Sequence, residues 1–165
     1  MPLYTGQNNA GSAAGRLDLA WVHEHIFAAG GSHIPAAWDQ FSAQLGVTAI
    51  VHLSRPEPLE FHGSAPARML WLDLEDEREV DLGMQALCAG FVHAAIESGE
   101  NVLLHSTHGR HRTRWVYVSY LIWAGKQVRA ALRMAEEKPW QAPYHTDTEK
   151  WSTFRTYLSE LKSFG

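Results

Sequence analysis

Apolar positions in this chain come in short blocks, and the blocks alternate between a strand-like and a helix-like spacing. After a polar, Gly- and Ala-rich opening over residues 1–16 that shows no periodicity, two short apolar stretches, Leu19–Val22 and Ile26–Ala29, end in Gly30-Gly31. They predict a strand pair or hairpin at an edge of the fold. Pro35 then opens a helix with Trp38, Phe41 and Leu45 on one face and Gly46 as its stop. Val47–Leu53 is a β-branched apolar run, the mark of a strand buried on both faces. Ser54–Arg68, with its prolines, reads as a surface loop, and Met69–Leu74 as a further strand leading into the acidic Glu75-Asp76-Glu77.

Helical spacing takes over from Met84. Met84, Leu87, Cys88, Phe91 and Ala95 are expected to share a buried face, with Gly99 closing the helix. Asn101–His105 is a short apolar strand running straight into a glycine-containing polar loop. Arg112–Trp123 is apolar nearly all round and predicts a helix inside the fold. Two more helices follow, over Val128–Glu137 and from Thr146, where Thr146 and Glu149 make a capping box and Phe154, Tyr157, Leu158 and Leu161 supply the buried face. Strands alternating with helices predict an α/β domain with a largely parallel twisted sheet flanked by helices.

Composition narrows this picture in few places. With 165 residues, 45% hydrophobic and 19% charged, the chain fits one globular domain over 17–165 behind a flexible arm at 1–16. The net charge of −4 speaks against a nucleic-acid surface or an anionic-membrane patch. One cysteine, Cys88, excludes an internal disulfide framework; it lies on an apolar helix face and reads as core. No stretch has the character of a signal peptide or a membrane span, so the expected setting is cytoplasmic, and no metal or cofactor is implied. The seven tryptophans read as packing, with Trp140 the only one placed near a site.

The chemistry concentrates in His105-Ser106-Thr107-His108-Gly109-Arg110-His111-Arg112-Thr113. A polar glycine loop between a buried strand and a buried helix gathers backbone N–H groups around a hollow, with the helix dipole behind it. An arginine in the first turn of a helix opposes that dipole, so Arg112 calls for an anion, to which it offers a planar fork.

This stretch resembles the signature of the cysteine-dependent dual-specificity and protein-tyrosine phosphatases, His-Cys-x-x-x-x-x-Arg-Ser/Thr. It matches at every defining position except the nucleophile, where Ser106 replaces cysteine. The layout of Leu70–Asp76 before the helix 84–98 is similar to the family's acid loop, and Trp21–Gly30 to its opening hairpin. The resemblance implies a single-domain phosphatase fold with the phosphate-binding loop between a buried strand and helix. It implies that the amides of Thr107, His108, Gly109, Arg110, His111 and Arg112 bind phosphate oxygens and that Arg112 stabilises the transition state. Thr113 matches the hydroxyl that eases departure from the nucleophile, and His105 the histidine that supports the loop. Asp76 matches the general acid; Asp73 competes, but its alternation places it within the strand.

The serine decides the expected activity. A cysteine thiol can be ionised by helix N-termini and cations, whereas a serine hydroxyl starts far higher and needs an adjacent base. No Ser-His-Asp order or nucleophile elbow is evident. The expected form therefore binds phosphate esters, on a phosphorylated protein or a small molecule, and hydrolyses them poorly or not at all. Two histories fit: a Cys→Ser change that turns a phosphatase into a substrate trap, or a natural pseudophosphatase. The loop also resembles that of RNA 5′-triphosphatases of the same fold, against which the acidic charge and Asp76 count. Arg114, where the family carries a small residue, and Thr148, in the place of a glutamine, depart from the pattern.

Overall fold

The computed structural model describes residues 18–30, 34–53, 61, 63–107, 110–138 and 148–163. The arm expected over 1–16, residues 54–60 and 62 of the loop after Leu53, and Trp140 lie outside these residues.

The opening apolar stretches form strands β1 (Asp18–His23) and β2 (Ile26–Gly30), paired antiparallel around a turn at Glu24-His25. Helix α1 (Ile34–Leu45) stops at Gly46, whose φ of 62° lies in the left-handed region that glycine enters without steric penalty. Strand β3 (Val47–His52) is followed by β4 (Arg68–Trp71), a 3-10 turn at Glu77–Glu79, helix α2 (Leu82–Glu97) and strand β5 (Asn101–Ser106). Helices α3 (His111–Trp123), α4 (Val128–Glu136) and α5 (Thr148–Ser163) complete the order. The sheet runs β1-β2-β5-β3-β4, and every pairing except the hairpin is parallel. Mixed α/β architecture with a mostly parallel sheet is therefore as the alternation of blocks predicts. Among the described residues, no helix is long and apolar enough to cross a membrane.

The sheet is covered on both faces. Ala49, Val51, Leu53, Val102 and Leu104 face α2, α3 and the last helices, where Cys88, Val92, Trp115, Val116, Trp151 and Phe154 close the larger core. Val47, Ile50, Leu103 and Ala29 face the other way, onto Trp38 of α1. Being buried on both sides explains why β3 and β5 are continuous apolar runs instead of alternating ones. Helix α2 packs closely on α3 at Gly90: a Cβ there would stand 3.2 Å from the Trp123 ring. Asp81 caps α2, its carboxylate accepting from the Met84 N–H at 2.7 Å.

Three expectations are corrected. Helix α2 buries Gln85, Ala86, Cys88, Ala89, Val92 and Ala95, while Met84 and Leu87 are exposed, Leu87 by 52%. Apolar residues surround most of this helix, so its composition does not say which stripe faces in. Gln85 is drawn inward because its Nε2 donates to Ser119 Oγ at 3.0 Å, and Ser119 donates to the Trp115 carbonyl at 2.7 Å. Strand β4 ends at Trp71, so Asp73 lies beyond the strand and not within it. In α5, Trp151, Phe154 and Leu158 are buried, but Tyr157 is half-buried and Leu161 is 46% exposed. The helix begins at Thr148; Thr146, the expected cap, lies outside the described residues.

Two groups in the larger core must stay protonated. Burial pushes the Cys88 thiol up to about 12 and the Tyr117 phenol likewise to about 12, and the Tyr117 hydroxyl has no hydrogen-bond acceptor. Raised acids contribute stability that is complete below their unfolded values and is lost as pH climbs through the folded ones. Stability to urea should thus be flat near neutrality and fall from about pH 9 to 12. Tyr117→Phe should remove part of that alkaline loss and, by deleting a buried hydroxyl without an acceptor, raise stability near pH 7 by about 1 kcal/mol. A loss of stability at neutral pH in this variant would show that the hydroxyl is satisfied.

Candidate functional site

The site forms where the two central strands end. Parallel strands β3 and β5 terminate together: His52 stands in register with His105, and the Leu53 N–H donates to the His105 carbonyl at 2.8 Å. On the other side of β5, Gly30 is in register with Ser106. Ser106 is the last strand residue and is only 2% exposed, so its side chain is set into the floor of the loop. Thr107 is exposed, His108 and Gly109 lie outside the described residues, and Arg110 stands exposed at the mouth of α3. The Arg110 side chain makes no capping bond to the helix it precedes. A helix N-terminus without that side-chain acceptor is where the fold can accept an anion.

Arg112 joins the parts. Its Nη1 donates to the Leu53 carbonyl at 2.8 Å and to the Leu74 carbonyl at 2.6 Å, and its Nη2 donates to Thr107 Oγ1 at 3.0 Å. One guanidinium thereby ties the end of β3, the segment after β4 and the loop to the first turn of α3. The adjacent Thr113 is fully buried, and its hydroxyl has no partner. His111 is half-buried at the helix start.

The acidic segment is tied down too. Leu72 and Leu74 point into the core, which leaves Asp73 exposed between them. Asp76 caps the 3-10 turn: its Oδ1 accepts from the Arg78 N–H at 3.0 Å. Its carboxylate also receives the Arg78 side chain, Nε at 3.0 Å on Oδ1 and Nη2 at 2.6 Å on Oδ2. Arg78 is the residue that sequence reasoning missed, although an Asp-x-Arg spacing in a turn was its available signal. The start of α5 docks on the same turn, with Lys150 Nζ donating to the Arg78 carbonyl at 3.1 Å.

Not every sequence-marked residue comes to the site. Cys88 lies in the core between α2 and its neighbours, its thiol pushed up to about 12 by burial, and offers no nucleophile. Arg114, two residues past Arg112, is buried, and its Nε has no acceptor. Desolvation lowers its proton affinity, partly offset by Glu136 on α4.

No family model matches the chain, and no curated protein matches it. Solved structures do. Human DUSP28 is 27% identical with a TM-score of 0.64, over 87% of this chain and 98% of that one. A mouse putative dual specificity phosphatase complexed with zinc tungstate is 21% identical, TM-score 0.71, over 87% of this chain and 90% of its own. PTPMT1 in complex with PI(5)P is 14% identical, TM-score 0.72, over 87% and 98%.

Removing the Arg112 fork should loosen the whole strand-end assembly. Arg112→Ala is expected to lower stability by about 1.5–3 kcal/mol, the range for hydrogen bonds to a charged group. Arg112→Lys keeps the charge without the fork and should fall between. Urea titration measures both; an alanine variant as stable as the parent would mean that the carbonyl bonds do not hold the segments together.

Proposed function

We propose that this chain, which has the fold of the dual-specificity phosphatases, binds phosphate esters in the loop Ser106–Arg112 and, with serine at the nucleophile position, holds them without effective hydrolysis. The observation that carries the reading is Arg112: a guanidinium braced by carbonyls at the uncapped start of a buried helix, at the end of the central strand. Its neighbours in fold support the same reading, since one was solved with tungstate, an oxyanion, and another with a phosphoinositide.

The ester phosphorus would sit above Ser106, its oxygens on the amides of residues 107–112 and on Arg112. With cysteine at 106, the thiolate would attack phosphorus and the bond to the ester oxygen would break. That oxygen would take a proton from Asp76, and water would then release phosphate from sulfur. Asp76 enters that role only by letting go of the Arg78 fork, because a carboxylate held bidentate by a guanidinium accepts hydrogen bonds and has none to give. Asp73, exposed and outside β4, is the competing acid.

With serine at 106, attack needs a base. His105, adjacent in the chain, is 2% exposed and holds its Nδ1 at 2.7 Å from His52. The cradle of amides and arginine does not depend on the nucleophile. Replacing a thiolate by a neutral hydroxyl also removes a negative charge from beneath a dianion. A phosphorylated protein or a small phosphoester fits this site, and a cytoplasmic setting accords with it.

The test compares the chain with Ser106→Cys on an aryl phosphate. The parent should show no turnover and the cysteine variant should hydrolyse the ester. Adding Asp76→Ala to the cysteine variant should then lower kcat about a hundredfold or more; a loss on Asp73→Ala instead would reassign the acid. An inert but folded Ser106→Cys that still binds tungstate leaves a phosphate-binding module, whereas turnover by the serine form itself would overturn the account of the nucleophile.

A further inference from the structure

Beneath the loop lies a pair of imidazoles that the phosphate-binding reading leaves unused. Ile50 and Leu103 face α1, and one strand period later His52 and His105 fall on the same side of the sheet. They are 5% and 2% exposed, their ring planes are 30° apart with centroids 4.7 Å apart, and their Nδ1 atoms face each other at 2.7 Å. A hydrogen bond between two such nitrogens contains one proton. One ring donates and the other must accept with a bare Nδ1, and an imidazolium has no bare nitrogen. The pair is therefore neutral or singly charged while the contact lasts, and never doubly charged.

From this geometry we propose that His52 is a positioning residue: it fixes the tautomer and orientation of His105 behind the loop, and the two rings together take up one proton from solvent when a dianion occupies the loop. The inference rests on the phosphate-binding reading above. Imidazole titrates near pH 6.5, and a dianion arriving at the strand end raises the proton affinity of the pair behind it. The charge this supplies is fixed in place and needs no rearrangement of the loop.

The other groups around the pair do not supply such a proton as a class. Helix α1 contributes Asp39, which is exposed and bonded to the Gln40 N–H. Strand β4 brings Trp71 into register with His52. Asp73, Arg110 and Arg112 are further charged groups at this end of the sheet. His111, and His108 in the same loop, are the remaining histidines of the motif and need a control.

Sulfate is the probe, because it stays a dianion where imidazole titrates. Calorimetric titration of the full chain in buffers of different ionisation enthalpy counts protons taken up per anion. We expect about one at pH 7, fewer where the pH is low enough to charge the pair before the anion arrives, and affinity rising up to tenfold per unit as pH falls from neutrality towards that range. His52→Asn with His105→Asn should bind sulfate with no uptake, whereas His108→Asn with His111→Asn should keep the proton count. Ring ¹⁵N shifts of the unaltered chain supply a measurement that needs no variant: one Nδ1 protonated and one bare without sulfate, and one ring cationic with it. In His52→Asn, His105 should lose its single tautomer. Sulfate binding with no uptake, uptake that survives the His52/His105 double change, or ring shifts indifferent to sulfate would each sink the proposal. Failure of the unaltered chain to bind sulfate at all would instead sink the phosphate-binding reading beneath it.

Discussion

Everything at the strand ends hangs on one guanidinium. Parallel strands leave their last carbonyls pointing out of the sheet with no further strand to pair with, and a buried carbonyl left alone is costly. Arg112 answers this at Leu53, just past β3, and takes the Leu74 carbonyl of the segment after β4 as well; it does so from the first turn of α3, where a cation is electrostatically misplaced. The two facts explain each other. The backbone oxygens hold the arginine where the helix dipole disfavours it, and positive field is concentrated at the start of α3 as a result. On the reading proposed above, the anion site is thus as much a solution to strand termination as a device for binding.

That double duty also constrains the acidic segment. Because the Leu74 carbonyl is one of the arginine's anchors, the stretch carrying Asp73 and Asp76 is fastened through its backbone to the start of α3, independently of what its side chains do. The side chain of Asp76 is meanwhile committed to Arg78, and Lys150 brings α5 onto the same turn. In the proposed function, anion binding would therefore leave this segment as it stands, whereas proton donation by Asp76 would require its ion pair with Arg78 to open.

Local signals were legible in the sequence and distant pairings were not. The strand-loop-helix around Ser106 is contiguous, so its residue types and spacing announce it without tertiary information. The two-sided burial of β3 and β5 is likewise written in their unbroken apolar runs. By contrast, where β4 stops depends on whether β3 continues beside it, which no property of Leu72-Asp73-Leu74 reveals. The buried face of α2 depends on Ser119, 34 residues away, which gives Gln85 a reason to be inside. The imidazole pair joins residues 53 apart; His105 stands out through the loop motif, but His52 alone looks like an ordinary strand residue. Arg114 shows the opposite limit: it stands out in the sequence as a departure, and the structure leaves its Nε without an acceptor in a buried helix.

The burial of Cys88 has a consequence for chemistry with oxidants. Thiolate-dependent sites are vulnerable to peroxide because the ionised, accessible sulfur that attacks phosphorus also attacks oxygen. Here the only sulfur of a cysteine in the chain is held protonated inside the core, and the loop presents a hydroxyl. On the reading proposed above, a cradle made of amides and a guanidinium would therefore keep its hold on an anion under peroxide, because the loop has no thiolate to lose.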